Sequence, residues 1–117
     1  MSIASQRARV ADGFCMVAEC RPAEEVSGDF YFVASPGPGR LCAVIGDACG
    51  RGRQGAALLP EILPKVRALV QAGRAPGELL AELNRVAARH LPPDRFITAA
   101  AVELDRSLCT LTIANAG

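Results

Sequence analysis

The spacing of apolar residues divides this chain into strands, then helices, then strands again. Short runs of apolar, β-branched and aromatic residues come first and predict strands at 13–19, 29–34 and 41–45. The last of these runs has no polar position, which is typical of a strand buried on both faces. Near the end of the chain, two more runs at 96–104 and 108–114 are joined by a short turn, and they predict an antiparallel hairpin.

Between the strands, apolar residues recur with the period of an α-helix in two segments. The first carries an apolar stripe from Leu59 to Val70. Pro60 and Pro64 lie inside this stripe, and because proline lacks a backbone N–H, we expect a kink there or a helix that restarts near Pro60. The second helix should begin at Pro76, since proline is tolerated in a first turn. This order predicts an α+β fold with helices packed on one sheet face.

Composition narrows the class of protein without naming a function. The 117 residues suffice for one domain with its own core, and we divide them into a lead-in, 1–12, and a domain, 13–117. The formal net charge is +1 with both signs interspersed, which argues against a nucleic-acid partner or a polybasic membrane surface. No secretory signal is visible and no apolar run approaches the ~20 residues of a membrane span, so we expect a cytoplasmic protein.

The cysteines form no recognisable metal or disulfide pattern. Their number is odd and no two have the C-x-x-C spacing. We therefore expect reduced, mostly buried thiols. The five are Cys15, Cys20, Cys42, Cys49 and Cys109.

Two glycine-flanked aspartates, Asp29 and Asp47, are the strongest candidates for chemistry because each lies beside an apolar strand. Carboxylates at strand ends suit a hard, oxygen-preferring cation such as Mg²⁺ or Mn²⁺. Asp and Gly also dominate ordinary turns, so the competing interpretation is a pair of turn aspartates. The sequence offers no Ser/His/Asp pattern and one histidine, which favours metal-assisted chemistry over a side-chain nucleophile.

Several segments, in one order along the chain, resemble the PPM (protein phosphatase 2C) superfamily in its bacterial SpoIIE/RsbU-like branch. They are Cys20-Arg-Pro-Ala23, Val26-Ser-Gly-Asp-Phe-Tyr31, Ile45-Gly-Asp47, Gly50-Arg-Gly52, Gly55-Ala-Ala-Leu-Leu59, Leu83-Asn84, Phe96-Ile-Thr-Ala99 and Ala114-Asn-Ala-Gly117. The resemblance implies a PPM-type α-β-β-α sandwich, in which helices flank an antiparallel β-sandwich. In that family further strands and two acidic metal motifs follow Asn-Ala-Gly, so the domain is expected to be incomplete at its C-terminus. An incomplete sandwich exposes apolar surface, and we expect this chain alone to be poorly soluble or to self-associate.

The resemblance also implies a function and a set of site residues. The function is hydrolysis of phosphoserine or phosphothreonine on a bacterial regulatory protein of the anti-sigma factor antagonist type, in stress or signal response. Asp29 and Asp47 match the family's first two metal aspartates, and the backbone carbonyl of Ala48 matches a further ligand. Two Mn²⁺ or Mg²⁺ ions would activate water in the complete domain, with no side chain acting as nucleophile. An upstream sensor domain and a homodimer are further expectations from the family.

Physical chemistry adds two expectations about this site. Two aspartates and one carbonyl are few ligands for an ion that prefers about six oxygens, so metal binding should be weak. When no metal is bound, convergent carboxylates repel, and the pKa of one should rise.

Other interpretations of the chain stay open. A non-catalytic binding or scaffold module would keep the fold without the full set of metal motifs. An unrelated nucleotide-binding α/β domain could use the glycine-rich loop at 50–55, although this loop lacks the Lys-Ser/Thr ending of a phosphate loop. Arg51 and Arg53 could meet a phosphate or be a solvated loop pair. His90 is interpreted as a residue of a helix C-terminus rather than a catalytic base.

Overall fold

A computed structural model describes residues 9–11, 13–23 and 25–117, and an antiparallel sheet is the element on which the rest of the chain packs. A hairpin of two short strands precedes it, β1 (Arg9–Ala11) and β2 (Phe14–Met16). In the described part of the chain the main sheet has the order β3-β4-β5-β6, with strands β3 (Asp29–Ala34), β4 (Arg40–Ala48), β5 (Ile97–Asp105) and β6 (Thr110–Ala116). Between β4 and β5 lie the helices α1 (Arg53–Ala56), α2 (Leu59–Gln71) and α3 (Pro76–His90).

The predicted α+β layout is confirmed, and every pairing in the main sheet is antiparallel. The strand predicted at 29–34 has the bounds of β3, and the hairpin predicted near the end of the chain is β5 and β6. An antiparallel sheet of this kind disagrees with the parallel strand-helix-strand arrangement that a doubly wound nucleotide-binding domain needs.

Proline placement explains the break between the first two helices. Helix α1 ends at Ala56, and α2 begins at Leu59 with Pro60 in its first turn, where the missing N–H costs little. The predicted restart near Pro60 is therefore confirmed. Pro64 lies inside α2 and lacks the N–H that would bond to the carbonyl of Pro60, but the helix continues past it to Gln71. Helix α3 begins at Pro76, as predicted.

One core lies between the helices and one face of the sheet. Alternate residues of β3 and β4 meet the apolar stripes of α2 and α3, because strand side chains alternate and helical ones repeat every three or four positions. Burying each large apolar side chain contributes about 1.5–3 kcal/mol. The largest fully buried members are Phe30, Val44, Ile62, Val66, Val70 and Leu79.

Hydrogen bonds from the Arg40 side chain attach the end of α2 to the sheet. The Arg40 Nη2 atom lies 2.5 Å from Glu103 Oε2 and donates to the Gly73 carbonyl at 3.2 Å. Gly73 follows α2 in a left-handed conformation (φ 68°), which lets the chain turn away from the helix. Cys42 also faces Glu103, and burial, followed by the hydrogen bond to that carboxylate, raises the pKa of the Cys42 thiol to about 11.

The opposite face of the sheet is open and largely apolar. Ile45, Leu111 and Ile113 are 63%, 57% and 60% exposed there. The prediction that the 41–45 strand is buried on both faces is therefore wrong, because the helices cover only one face of β4. Asp47 lies two residues beyond Ile45 on the same strand and therefore shares this open face.

The lead-in and the cysteines depart from the simplest expectations. Most of the predicted lead-in, 1–12, lies outside the described residues, and residues 9–11 pair with β2 as a strand.

The five cysteines are free thiols, but Cys42 alone is buried. The expectation of mostly buried thiols is wrong, because Cys15 in β2 and Cys109 in the turn before β6 are exposed.

No helix in the described part of the chain has the length and apolar character needed to cross a membrane.

The open sheet face generates a prediction about association. We expect the 117-residue chain to self-associate as its concentration rises, because contiguous exposed apolar surface favours contact between molecules. Replacing Ile113 by Lys should lower the apparent mass in sedimentation velocity at equal concentration. The control is Ala68→Lys on the exposed side of α2, which adds the same charge away from the face. A concentration-independent monomer for the unaltered chain would contradict this prediction.

Candidate active site

Strand pairing brings Asp29 and Asp47 together. In the antiparallel register of β3 and β4, Asp29 is the direct Cα partner of Asp47. Direct partners in such a ladder have Cβ atoms roughly 4.5–5.5 Å apart and point to the same face. Both side chains are exposed on the open face, at the end of the sheet from which the chain leaves for α1.

The two carboxyl groups perturb each other. Partial burial is the main cause that raises the pKa of Asp47, and the charge of Asp29 and a hydrogen bond with its carboxyl group raise it further. The expectation that one pKa should rise is confirmed. At neutral pH the pair concentrates negative charge at one point, and a bound cation would relieve the repulsion.

The aspartates open into a cavity of about 420 Å³ on the open face. Its walls come from β3, β4, β5, β6 and the segment that follows β2. The polar side chains that line it with the two aspartates belong to Glu19, Arg21, Tyr31, Thr98 and Asn115. These side chains supply a cation, carboxylates and neutral donors that can orient a charged, oxygen-rich ligand.

Arg21 is a cavity residue that the sequence analysis left out of the site. Its guanidinium binds Glu19 through two contacts, Nε to Oε1 at 2.6 Å and Nη2 to Oε2 at 3.1 Å. The hydroxyl of Tyr31 lies 3.5 Å from the Ala18 carbonyl, so the segment of Arg21 passes beside β3. Local sequence does not predict that Arg21 reaches the cavity, because this depends on where the segment after β2 crosses the sheet.

Ala48 lies behind the aspartates rather than in the cavity. The residue is fully buried, and its amide donates to the Gly28 carbonyl at 3.0 Å. The backbone of two glycines encloses the carbonyl oxygen of Ala48. A Cβ atom added at Gly28 would lie 2.5 Å from this oxygen, and one added at Gly55 would lie 2.8 Å from it. These glycines permit the close packing of the two loops. The role of Ala48 as a metal ligand stays a prediction.

The loop after β4 is held next to the aspartates by contacts with the start of β5. The Cys49 amide donates to the Phe96 carbonyl at 2.9 Å, and the Phe96 amide donates to Cys49 Sγ at 3.2 Å. Gly50 has φ 107°, a conformation that favours glycine. Arg51 follows in this loop and Arg53 is the first residue of α1, and both are exposed. His90 is the exposed last residue of α3 and does not line the cavity, in agreement with its interpretation as a helix-end residue.

The donor set fits a weakly bound divalent cation. Two adjacent carboxylates in a polar, water-accessible cavity are suitable oxygen ligands for Mg²⁺ or Mn²⁺. Across residues 9–11, 13–23 and 25–117, however, no three His, Cys, Asp or Glu side chains form a group that could hold a metal ion. Water and substrate oxygens would have to complete the coordination.

Residues 37–117 match the family described as Stage II sporulation protein E (SpoIIE). This range includes Asp47, whereas Asp29 precedes it. No curated protein matches the sequence.

Two solved structures share the fold. One is the crystal structure of the RsbU and RsbW domains of Rv1364c from Mycobacterium tuberculosis, with 26% identity, a TM-score of 0.65, and coverage of 81% of this chain and 27% of that chain. The other contains the PP2C phosphatase domain and a fragment of the regulatory domain of the cell fate determinant SpoIIE from Bacillus subtilis. Its values are 15% identity, a TM-score of 0.60, and coverage of 80% and 32%. The present chain therefore spans about a quarter to a third of each solved chain.

Because the Ala48 carbonyl is enclosed, we predict that any side chain added at Gly28 destabilises the fold. Replacing Gly28 by Ala would place Cβ 2.5 Å from a backbone oxygen, so the free energy of unfolding should fall by about 1–3 kcal/mol. The matched control is Gly77→Ala in the first turn of α3, where an added Cβ meets no atom within 4 Å. That change should stabilise the chain by about 0.4–1 kcal/mol. Equal effects in urea unfolding would contradict the packing described for Gly28.

The raised pKa of Asp47 predicts a stability difference between the aspartate and asparagine forms. The folded state holds the Asp47 proton more tightly than the unfolded chain, so this group contributes less to folding as pH rises through its raised pKa. In chelator at neutral pH, Asp47→Asn should stabilise the chain by about 0.2–1 kcal/mol, because opposed like charges are removed. The gain should shrink as pH falls toward the ordinary aspartate range, and urea unfolding at several pH values measures it.

The control for this effect is Asp94→Asn, which removes an exposed carboxylate that lies 3.8 Å from Arg95. It should not stabilise the chain. A stabilisation by Asp94→Asn equal to that of Asp47→Asn would assign the effect to net charge rather than to the aspartate pair.

Proposed function

Because this chain belongs to the SpoIIE family, we propose that it forms part of a metal-dependent phosphatase domain that removes phosphate from serine or threonine. The observation that carries the proposal is the direct pairing of Asp29 with Asp47 in a cavity that several other charged and polar side chains line. Opposed like charges destabilise a sheet, so their presence at one sheet end favours a role beyond folding.

The metal is the first part of the proposal. Asp29 and Asp47 would hold Mn²⁺ or Mg²⁺ through their carboxylate oxygens, with the Ala48 carbonyl as a further predicted ligand. Such an ion lowers the pKa of bound water and neutralises phosphate charge, which is the chemistry that phosphoester hydrolysis requires. The small donor set on these residues supports low affinity for a single ion.

Other cavity residues would bind and orient the phosphate. Arg21 has a guanidinium that is 82% exposed, and its partner is the partly exposed carboxylate of Glu19. An exposed ion pair of this kind contributes at most about 1 kcal/mol and exchanges readily. Arg21 can therefore bind a phosphate oxygen in place of Glu19, since arginine binds phosphate with charge-assisted hydrogen bonds. Thr98 and Asn115 supply neutral donors in the same cavity.

The substrate is the second part of the proposal. The similar mycobacterial structure contains an RsbU and an RsbW domain. This similarity supports, for the present chain, a phosphorylated bacterial regulatory protein of the anti-sigma factor antagonist type as substrate, in the cytoplasm. Control by an upstream sensor domain and homodimerisation belong to the same proposal.

A second candidate function is a non-catalytic binding module. The observation that favours it is that, within the described residues, Asp29 and Asp47 form no group with a third acidic, histidine or cysteine side chain that could hold a metal ion. Such a module would bind a phosphorylated protein without hydrolysing it.

Phosphatase turnover tests the proposal directly. The 117-residue chain should hydrolyse p-nitrophenyl phosphate in the presence of Mn²⁺, and chelator should abolish the activity. Asp47→Asn should lower turnover by at least about 100-fold, because a metal carboxylate is lost from the centre that activates water. Asp94→Asn is the matched control and should retain activity.

A second measurement keeps the outcome interpretable when turnover is absent. Mn²⁺ should raise the melting temperature of the unaltered chain but not of Asp47→Asn, because a ligand that binds only the folded state stabilises it. A folded chain with Mn²⁺-dependent stabilisation and no turnover would favour the binding module. No Mn²⁺ effect on either quantity would refute the metal site.

A further inference from the structure

A second groove is lined by residues from the two segments that adjoin Asp29 and Asp47 in the sequence. It has a volume of about 480 Å³, and it separates the segment before β3 from the loop after β4. The lining residues are Glu25, Val26, Arg51, Arg53 and Gln54. None of them lines the cavity of Asp29 and Asp47.

Two arginines and one carboxylate set the charge of this groove. Arg53 Nη2 lies 3.3 Å from Glu25 Oε2, and the two side chains are 86% and 82% exposed. A pair so exposed is weak and is readily displaced by another carboxylate. Arg51 is exposed and forms no ion pair within the described residues. Among its described lining residues the cations outnumber the anions by two to one, and the contact between Arg53 and Glu25 already joins a guanidinium to a carboxylate.

The groove is close to the aspartates through both of the loops that form it. Glu25 precedes Asp29 by four residues and Arg51 follows Asp47 by four, so each lies within about 14 Å of its aspartate along the chain. The loops pack directly on each other at Gly28 and Gly55. An extended peptide advances about 3.3 Å per residue, so a residue bound at the aspartates would have neighbours a few positions away at this groove.

We propose that Arg51 and Arg53 form a subsite for acidic side chains near the phosphorylated residue of a protein substrate. Without substrate, Glu25 forms an ion pair with Arg53, and a substrate carboxylate replaces Glu25 in that pair. The subsite rests on the proposed function, because the phosphorylated residue at the aspartates determines which part of the substrate reaches the groove. The chemical class that it recognises is an acidic peptide segment.

The charges favour a peptide over a nucleic acid. A continuous polyanion would bring phosphate charge against Glu25 as well as against the arginines, whereas a separate carboxylate can replace Glu25 one for one. The whole chain also has a net charge of only +1, which is small for a protein that binds nucleic acid through its phosphates.

Fluorescence anisotropy with synthetic peptides tests the subsite without requiring catalysis. One labelled, unphosphorylated peptide has a central serine flanked by glutamates, and its counterpart has glutamines at the same positions. At low salt the intact chain should bind the glutamate peptide more tightly. The double variant Arg51→Glu with Arg53→Glu should weaken that binding by about ten-fold or more, since close charges are reversed at the contact.

Glu25→Gln provides the sharper prediction. It frees Arg53 from its internal partner, so affinity for the glutamate peptide should rise by about two- to five-fold, the range of an exposed ion pair. The double variant Arg51→Glu with Arg53→Glu needs a control for its change in net charge. That control is Arg74→Glu with Arg89→Glu, which reverses two exposed arginines outside the groove. This control should weaken binding much less than reversal of Arg51 and Arg53.

Three results would overturn the subsite. They are equal losses in the two double variants, no gain with Glu25→Gln, and displacement of the glutamate peptide by single-stranded DNA at a similar concentration. Turnover of p-nitrophenyl phosphate separates this proposal from the proposed function. Mn²⁺-dependent turnover without peptide discrimination refutes the subsite alone, whereas discrimination without turnover refutes catalysis and supports the subsite in a binding module.

Discussion

The register between β3 and β4 is the constraint on which the site depends. It pairs Phe30 with Gly46 and, one position along, Asp29 with Asp47. The ring of Phe30 occupies the space where a side chain at residue 46 would lie, so the core fixes this register by the fit of an aromatic ring over a glycine. A slip of one residue would send the partners of the aspartates to the other face of the sheet. The apolar core thus holds together two charges that repel each other.

The fold was predictable from sequence where local pattern decides the outcome. A short run of aromatic and β-branched residues predicted β3, and the helical period with Pro60 and Pro76 predicted where α2 and α3 begin. The site was partly predictable, because glycine-flanked aspartates and the family resemblance both selected Asp29 and Asp47. Their direct pairing is a tertiary fact that follows from the register.

What the sequence did not predict depends on which surfaces other parts of the chain cover. Ile45 is apolar and exposed, since helices lie on one side of β4 only. Arg21 joins the cavity because the segment after β2 crosses near β3, and Ala48 is enclosed because two loops pack glycine against its carbonyl. Cysteine burial was misjudged for the same reason, because strand-like spacing does not reveal whether a strand is covered.

The shared face of the aspartates and the apolar patch has a thermodynamic consequence. When a protein surface covers Ile45, which lines the cavity, it displaces water there and lowers the local dielectric constant. Repulsion between the two carboxylates then grows, and so does the attraction of both for a divalent cation. Under the proposed function, cation binding and covering of the face would be linked equilibria, and each would change the other by the same factor. If Asp29 and Asp47 hold a metal as proposed, apolar side chains that do not ligate it would thereby shift the metal concentration at which it binds.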